Sequence, residues 1–236
     1  MGNRDINDSS LERPGVLKDV KVVMVGPAKC GKTALVQRFV NDTFYDSYTP
    51  TGFEKYSTRC KIGEFSVDFS IWDTSGSGAY DTIRPLAYQD ANVFLLCFNI
   101  GDPESLDLAV NKWYLEIRNH CASAPVILCG CRADARNDKE TITYLAHAHK
   151  MPVTAEQALM ASKHVSAVAY VETASAYVSK AVPEAFELAA QAALGLLNSK
   201  KNPPKKKKFG GSQSPLPNKP HIKNEIKGKA KNCCIM

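Results

Sequence analysis

Apolar and polar positions alternate between two textures along the chain. Short, dense apolar runs at Asp19 to Val25, Ser66 to Trp72, Asn92 to Phe98, Pro125 to Gly130 and Val168 to Glu172 predict strands, and four of the five are apolar enough to be covered on both faces. Between them, apolar residues recur at helical spacing over Lys32 to Val40, Glu104 to His120, Ala155 to Lys163 and Val182 to Leu197. Strands that alternate with helices predict an α/β fold, a mostly parallel sheet covered by helices. Tyr56 to Ile62 alternates residue by residue and meets Gly63-Glu64, which predicts a hairpin with Ser66 to Trp72 as an antiparallel edge. Asp138 to His149 predicts one more helix, closed off by Met151-Pro152. After Leu197 the periodicity stops and Pro, Lys, Gly and Ser take over.

Charge divides the chain at the same place. The 236 residues carry a net +6, but residues 199–236 hold 11 Lys and one Glu, so the tail is +10 and the body −4. The body as a whole is therefore no basic nucleic-acid surface, whereas the tail suits an anionic partner. The longest apolar runs fall far short of the ~20 residues that span a bilayer. The polar start of the chain lacks the apolar stretch of a signal peptide. Of the eight cysteines, six are dispersed and two are adjacent, at Cys233 and Cys234; this is no disulfide framework, and a reduced, intracellular chain is expected.

The first predicted strand runs into Gly26-Pro27-Ala28-Lys29-Cys30-Gly31-Lys32-Thr33, which fits G-x-x-x-x-G-K-[ST], and a predicted helix follows. In that context the loop is a phosphate cradle. Backbone N–H groups from Ala28 through Ala34 and the helix N-terminus face the phosphates, Lys32 neutralises their oxygens and Thr33 offers its hydroxyl to Mg²⁺.

Further strings resemble the Rho family of small GTPases over roughly residues 18–198: Tyr48-Thr49-Pro50-Thr51-Gly52-Phe53-Glu54-Lys55-Tyr56, Trp72-Asp73-Thr74 and Arg84-Pro85-Leu86-Ala87-Tyr88. The helix at Asp138 to His149 falls where Rho proteins carry their insert helix. The resemblance implies a P-loop, Ras-like G domain with a six-stranded sheet, preceded by a disordered extension (1–17) and followed by a polybasic flexible tail (199–236). It implies GTP and Mg²⁺ as ligands. Thr33 and Thr51 would ligate the metal, and Asp73 would hold it through water. Gly76 would give its N–H to the γ-phosphate, and Phe44 and Tyr48 would cover the nucleotide. Effectors would read Thr49 to Tyr56 and the Ser77 to Tyr88 region. For Trp72, core packing is the plainer expectation.

The departures from that family carry the functional expectation. Most Ras-like proteins place a water-orienting Gln where this chain reads Ser77 in Asp73-Thr74-Ser75-Gly76-Ser77. A serine hydroxyl is too short to bridge water and γ-phosphate. Ala28 replaces a P-loop glycine, and its Cβ would crowd the γ-phosphate and an incoming arginine finger. Hydrolysis is expected to be very slow. The Asp-Thr-Ser-Gly-Ser string and Cys131 in Gly130-Cys131-Arg132-Ala133-Asp134 are similar to the atypical Rnd subfamily. Asp134 would take both guanine N–H groups, Arg132 would lie along the base, and Ser175 or Ala176 would supply backbone N–H groups to the guanine oxygen. Cys129-x-Cys131 lacks a second pair and reads as a buried strand end rather than a zinc site.

The chain ends Cys233-Cys234-Ile235-Met236, a C-a-a-X match that marks Cys233 for farnesylation. One prenyl chain anchors only marginally, and the tail lysines supply the second signal. The expectation is a monomeric, GTP-bound signalling protein that hardly hydrolyses. It would bind effectors at the cytoplasmic face of the plasma membrane, with a cytosolic pool, and act on the actin cytoskeleton; no nucleic-acid partner is expected. A cycling GTPase, with Tyr80 positioning the water, and a pseudo-GTPase scaffold that binds no nucleotide are the alternatives.

Overall fold

The computed structural model describes residues 16–177 and 180–197. A six-stranded sheet in the order β2-β3-β1-β4-β5-β6 forms its centre. The strands are β1 (Val16–Val25), β2 (Phe53–Ile62), β3 (Phe65–Thr74), β4 (Val93–Asn99), β5 (Val126–Cys131) and β6 (Ala169–Thr173). All neighbours are parallel except the β2–β3 hairpin, whose register pairs Phe53 with Thr74 and Ile62 with Phe65. Every predicted strand is present. β1 starts at Val16, inside the expected extension, because Val16 and Leu17 still find ladder partners in Phe65 and Ser66.

Two apolar layers account for the double coverage. One face packs Val22, Met24, Leu95 and Ile127 under α1 (Lys32–Asn41) and α6 (Ala181–Ala193), with Phe39 and Phe186 stacked at 3.9 Å. The other packs Val23, Phe94, Leu96 and Leu128 under the helices between β4 and β6. The helix predicted over Glu104 to His120 is broken in character: α2 (Pro103–Leu108) passes through a π-helical turn (Ala109–Trp113) into α3 (Tyr114–His120). Such a widened turn commonly marks a functional position, and here it lies where buried Trp113 meets Arg84.

Local chemistry sets the helix ends. α4 (Lys139–His147), at the insert-helix position, is capped by Asp138, whose Oδ2 accepts from Thr141 N–H at 3.0 Å. α5 (Ala155–His164) begins with a Thr154–Gln157 capping box. α6 stops at Ala193, short of the predicted Leu197, because Gly195 turns left-handed at φ 70° and Leu196 N–H closes back on the Gln191 carbonyl at 2.8 Å. No helix among the described residues is long and apolar enough to cross a membrane. All six cysteines among the described residues are free. The tail and Cys233 lie outside the described residues.

Candidate functional site

At the carboxyl ends of β1, β3, β5 and β6 lies a cleft of about 510 Å³, where an open parallel sheet places its ligand. Its lining brings together residues far apart in sequence: Ala28 to Ala34 from the P-loop, Phe44, Tyr48 and Thr51 from the next loop, Gly76, and Cys131, Arg132, Asp134, Ser175 and Ala176 from the far end. Every predicted nucleotide residue except Asp73 lines this cleft. Asp73 sits just beneath it, fully buried at the end of β3.

The phosphate end is built by close backbone approach. Gly31, at φ 109°, leads into α1 without any side-chain cap, so the first-turn N–H groups are left for an anion. Lys32 is buried, and its ammonium donates to the carbonyls of Gly26 and Pro27 at 2.8 Å each. A Cβ on Gly76 would lie 2.2 Å from Ala28 N and 2.4 Å from the Pro27 carbonyl carbon, so only glycine fits there.

A cluster of oxygens stands beside it. Thr33 Oγ1 donates to Asp73 Oδ2 at 2.5 Å and lies 2.7 Å from Thr51 Oγ1. Asp73 Oδ1 is buried and lacks a hydrogen-bond partner. Burial pushes the Asp73 carboxyl up to about 6, against the pull of Thr33 and Lys32. A buried carboxylate oxygen left unpaired next to two hydroxyls is a donor set suited to a hard divalent cation such as Mg²⁺.

The opposite end is shaped for a planar base. Asp134 Oδ1 is likewise buried and unpartnered, and Arg132 holds a left-handed backbone at φ 57° and is exposed over the cleft. In the shifted loop Ser175 is buried and its carbonyl accepts from Arg38 Nε at 2.8 Å. Phe44 lies 37% exposed at the rim, and the Lys29 ammonium sits 5.4 Å over the Tyr48 ring.

The water-orienting position is arranged differently. Ser77 is exposed and lies outside the cleft, and its hydroxyl accepts from Ala79 N–H at 3.3 Å as the cap of a short 3-10 turn (Gly78–Tyr80). Tyr80 packs against Phe53, with its hydroxyl 3.3 Å from where a Cβ on Gly52 would stand. Thr49, Pro50, Glu54 and Lys55 are exposed, while Thr51, Gly52, Phe53 and Tyr56 are half-buried.

This cleft, read with the comparisons, decides the family. A family model described as the Ras family matches residues 21–195. The chain belongs to the Ras family. Within it, the Rho-related GTP-binding protein RhoE of Homo sapiens is 33% identical over 238 aligned positions, covering 99% of this chain and 98% of RhoE. Human RhoD is 42% identical over 78% of this chain and 87% of RhoD, and GTP-binding protein rho5 of Schizosaccharomyces pombe is 38% identical over 80% and 94%. The protein is thus a Rho-type small GTPase of the signalling kind.

Two features of this Rho-type site went unread in the sequence. Trp72 packs half-buried against the core as expected, and Lys21 and Lys55 ammonium groups also lie 4.4 Å and 5.7 Å from its ring centroid. Arg84 is fully buried beneath the segment from Ser75 to Asp81. Its guanidinium donates to the Ser75 carbonyl at 2.8 Å, the Ser77 carbonyl at 2.7 Å and both Glu116 oxygens at 2.9 and 2.7 Å. It also stacks 4.4 Å from the Trp113 ring.

Proposed function

We propose that this protein binds GTP with Mg²⁺ and keeps it bound with little hydrolysis, acting as a persistent effector-recruiting signal rather than a fast switch. The observation that carries the reading is Ser77. At the position where most relatives of this kind orient the attacking water, its hydroxyl is spent on capping a turn and faces solvent. Ala28 supports the same reading, since its Cβ occupies the P-loop rim where an arginine finger enters.

The cleft's residues divide the binding work. The uncapped start of α1 and Lys32 would hold the phosphates, and Thr33, Thr51 and Asp73 would hold Mg²⁺. Asp134 reads guanine with both carboxylate oxygens, Arg132 lies along its face, and the loop at Ser175 and Ala176 offers backbone N–H groups. Mg²⁺ supplies charge neutralisation at the phosphates. Effectors read the exposed edge from Thr49 to Tyr56. The C-a-a-X match at Cys233 and the basic tail support a lipid-anchored protein at the cytoplasmic face of the plasma membrane, and the Rho-family resemblance of residues 18–198 supports a part in actin regulation.

The nucleotide carried by protein purified from cells, separated by ion exchange after denaturation, tests this directly. Predominantly GTP is the expected outcome. Predominantly GDP would show that Ala28 and Ser77 do not stop turnover and that the protein cycles.

A further inference from the structure

Cys129 and Cys131 are two apart on β5 and so share one face of the sheet. The sheet adds a third cysteine that the linear spacing hides, because β4 runs parallel with Cys97 directly opposite Cys129. The three sulfurs all lie within 4.8 Å of one another, and they form the one group of three or more potential metal ligands of this closeness among the described residues. Cys97 and Cys129 are fully buried and Cys131 is 2% exposed. Scattered buried cysteines behave as small hydrophobes; three sulfurs that converge on one point form a donor set.

The distances suit a metal. Tetrahedral Zn–S bonds of about 2.3 Å place sulfurs about 3.8 Å apart, so closing this cluster takes movements of no more than about 1 Å. Three sulfurs select a soft or borderline ion over Mg²⁺, whose oxygen ligands stand separately at Thr33, Thr51 and Asp73. The Thr173 hydroxyl lies 3.8 Å from the Cys129 sulfur.

We propose that Cys97, Cys129 and Cys131 form a buried three-thiolate site for a d¹⁰ cation of the Zn²⁺ class. Binding exchanges up to three thiol protons for three metal–sulfur bonds, leaves the site at net −1 and keeps one coordination position open. The ion ties the carboxyl ends of β4 and β5 together directly under the nucleotide cleft. Cys131 lies against the P-loop, its Cβ 2.9 Å from where a Cβ on Gly31 would stand, and only three residues before Asp134. The site is independent of whether GTP is hydrolysed.

Full-length protein carrying Cys233→Ser and Cys234→Ser, to remove the adjacent tail thiols, is stripped with chelator under reducing conditions and titrated with Cd²⁺ as the spectroscopic probe. One equivalent per chain should give a thiolate-to-cadmium charge-transfer band of three Cd–S intensity, with protons released into weak buffer. Added Zn²⁺ should raise the unfolding temperature and compete with Cd²⁺. Cys97→Ser, Cys97→Ala and Cys131→Ser should each weaken binding at least tenfold while far-ultraviolet circular dichroism stays native. If a variant fails to fold, the parent protein still decides: the absence of a stoichiometric charge-transfer band overturns the site. So does a full-strength band in the folded Cys97 variants.

Discussion

Asp73 shows how one side chain is poised for a ligand at a cost to the fold. Its carboxyl is raised from 3.8 to about 6, chiefly by burial, with one oxygen unpartnered. A raised acid stabilises the fold while it is protonated, so that contribution is full below pH 3.8 and is lost as pH rises through about 6. At roughly 1.4 kcal/mol per unit, the loss is about 3 kcal/mol. Asp73→Asn should therefore stabilise nucleotide-free protein by up to that amount at pH 7. The difference from the parent should shrink to nothing near pH 4, as read from urea midpoints at each pH. The same variant should bind Mg²⁺ with GTP far more weakly. A stability gain that does not vary with pH would refute the raised carboxyl. Ser77 belongs to the same scale: on the proposed reading, Ser77→Gln with Ala28→Gly supplies the Gln and Gly that most Ras-like proteins carry and should raise single-turnover GTP hydrolysis at least about tenfold. Unchanged hydrolysis would refute the role assigned to Ser77 and Ala28.

At the scale of elements, the segment from Ser75 to Tyr88 is tied to α3 through Arg84. Arg84 anchors the carbonyls of Ser75 and Ser77 on one side and the Glu116 carboxylate on the other. Tyr88 Oη donates to the same carboxylate at 2.5 Å. Removing the cation strands a carboxylate only 14% exposed. Arg84→Ala should cost about 3–5 kcal/mol and speed hydrogen exchange across residues 75–81. Arg84→Met with Glu116→Leu should recover much of the stability but not the slow exchange, because the carbonyls of Ser75 and Ser77 stay unanchored. Recovery of both would show that packing alone orders the switch. This network also marks the limit of what the chain shows as a sequence. The strands were legible because dense apolar runs mean two covered faces, and the P-loop because its glycines and Lys32 have fixed spacing. Arg84 stood only as part of a resembling string, since its partner lies 32 residues on and meets it only when the helix packs. Trp72 packs against the core as expected, but the lysines over its ring could not be foreseen for a like reason: they come from β1 and β2. Cys97 was invisible as a partner for Cys129 until strand order was known.

For the whole molecule, charge is segregated: a body of −4 precedes a tail of +10. An anionic surface attracts the charge of the tail and repels the net charge of the body. A single prenyl chain gives only marginal, reversible attachment, and each lysine near the surface adds about 1 kcal/mol, screened over about 8 Å at physiological salt. Two terms of different physical kind then separate experimentally. Farnesylated protein should co-sediment with vesicles containing phosphatidylserine and should be released progressively as salt rises. With purely neutral vesicles, retention should be weak and insensitive to salt. Changing Lys205, Lys206, Lys207 and Lys208 to Gln should reproduce the neutral-lipid behaviour on anionic vesicles, whereas Cys233→Ser should abolish retention at physiological salt on either. Salt-insensitive binding to anionic vesicles would assign attachment to the lipid alone and leave the lysines for another anionic partner.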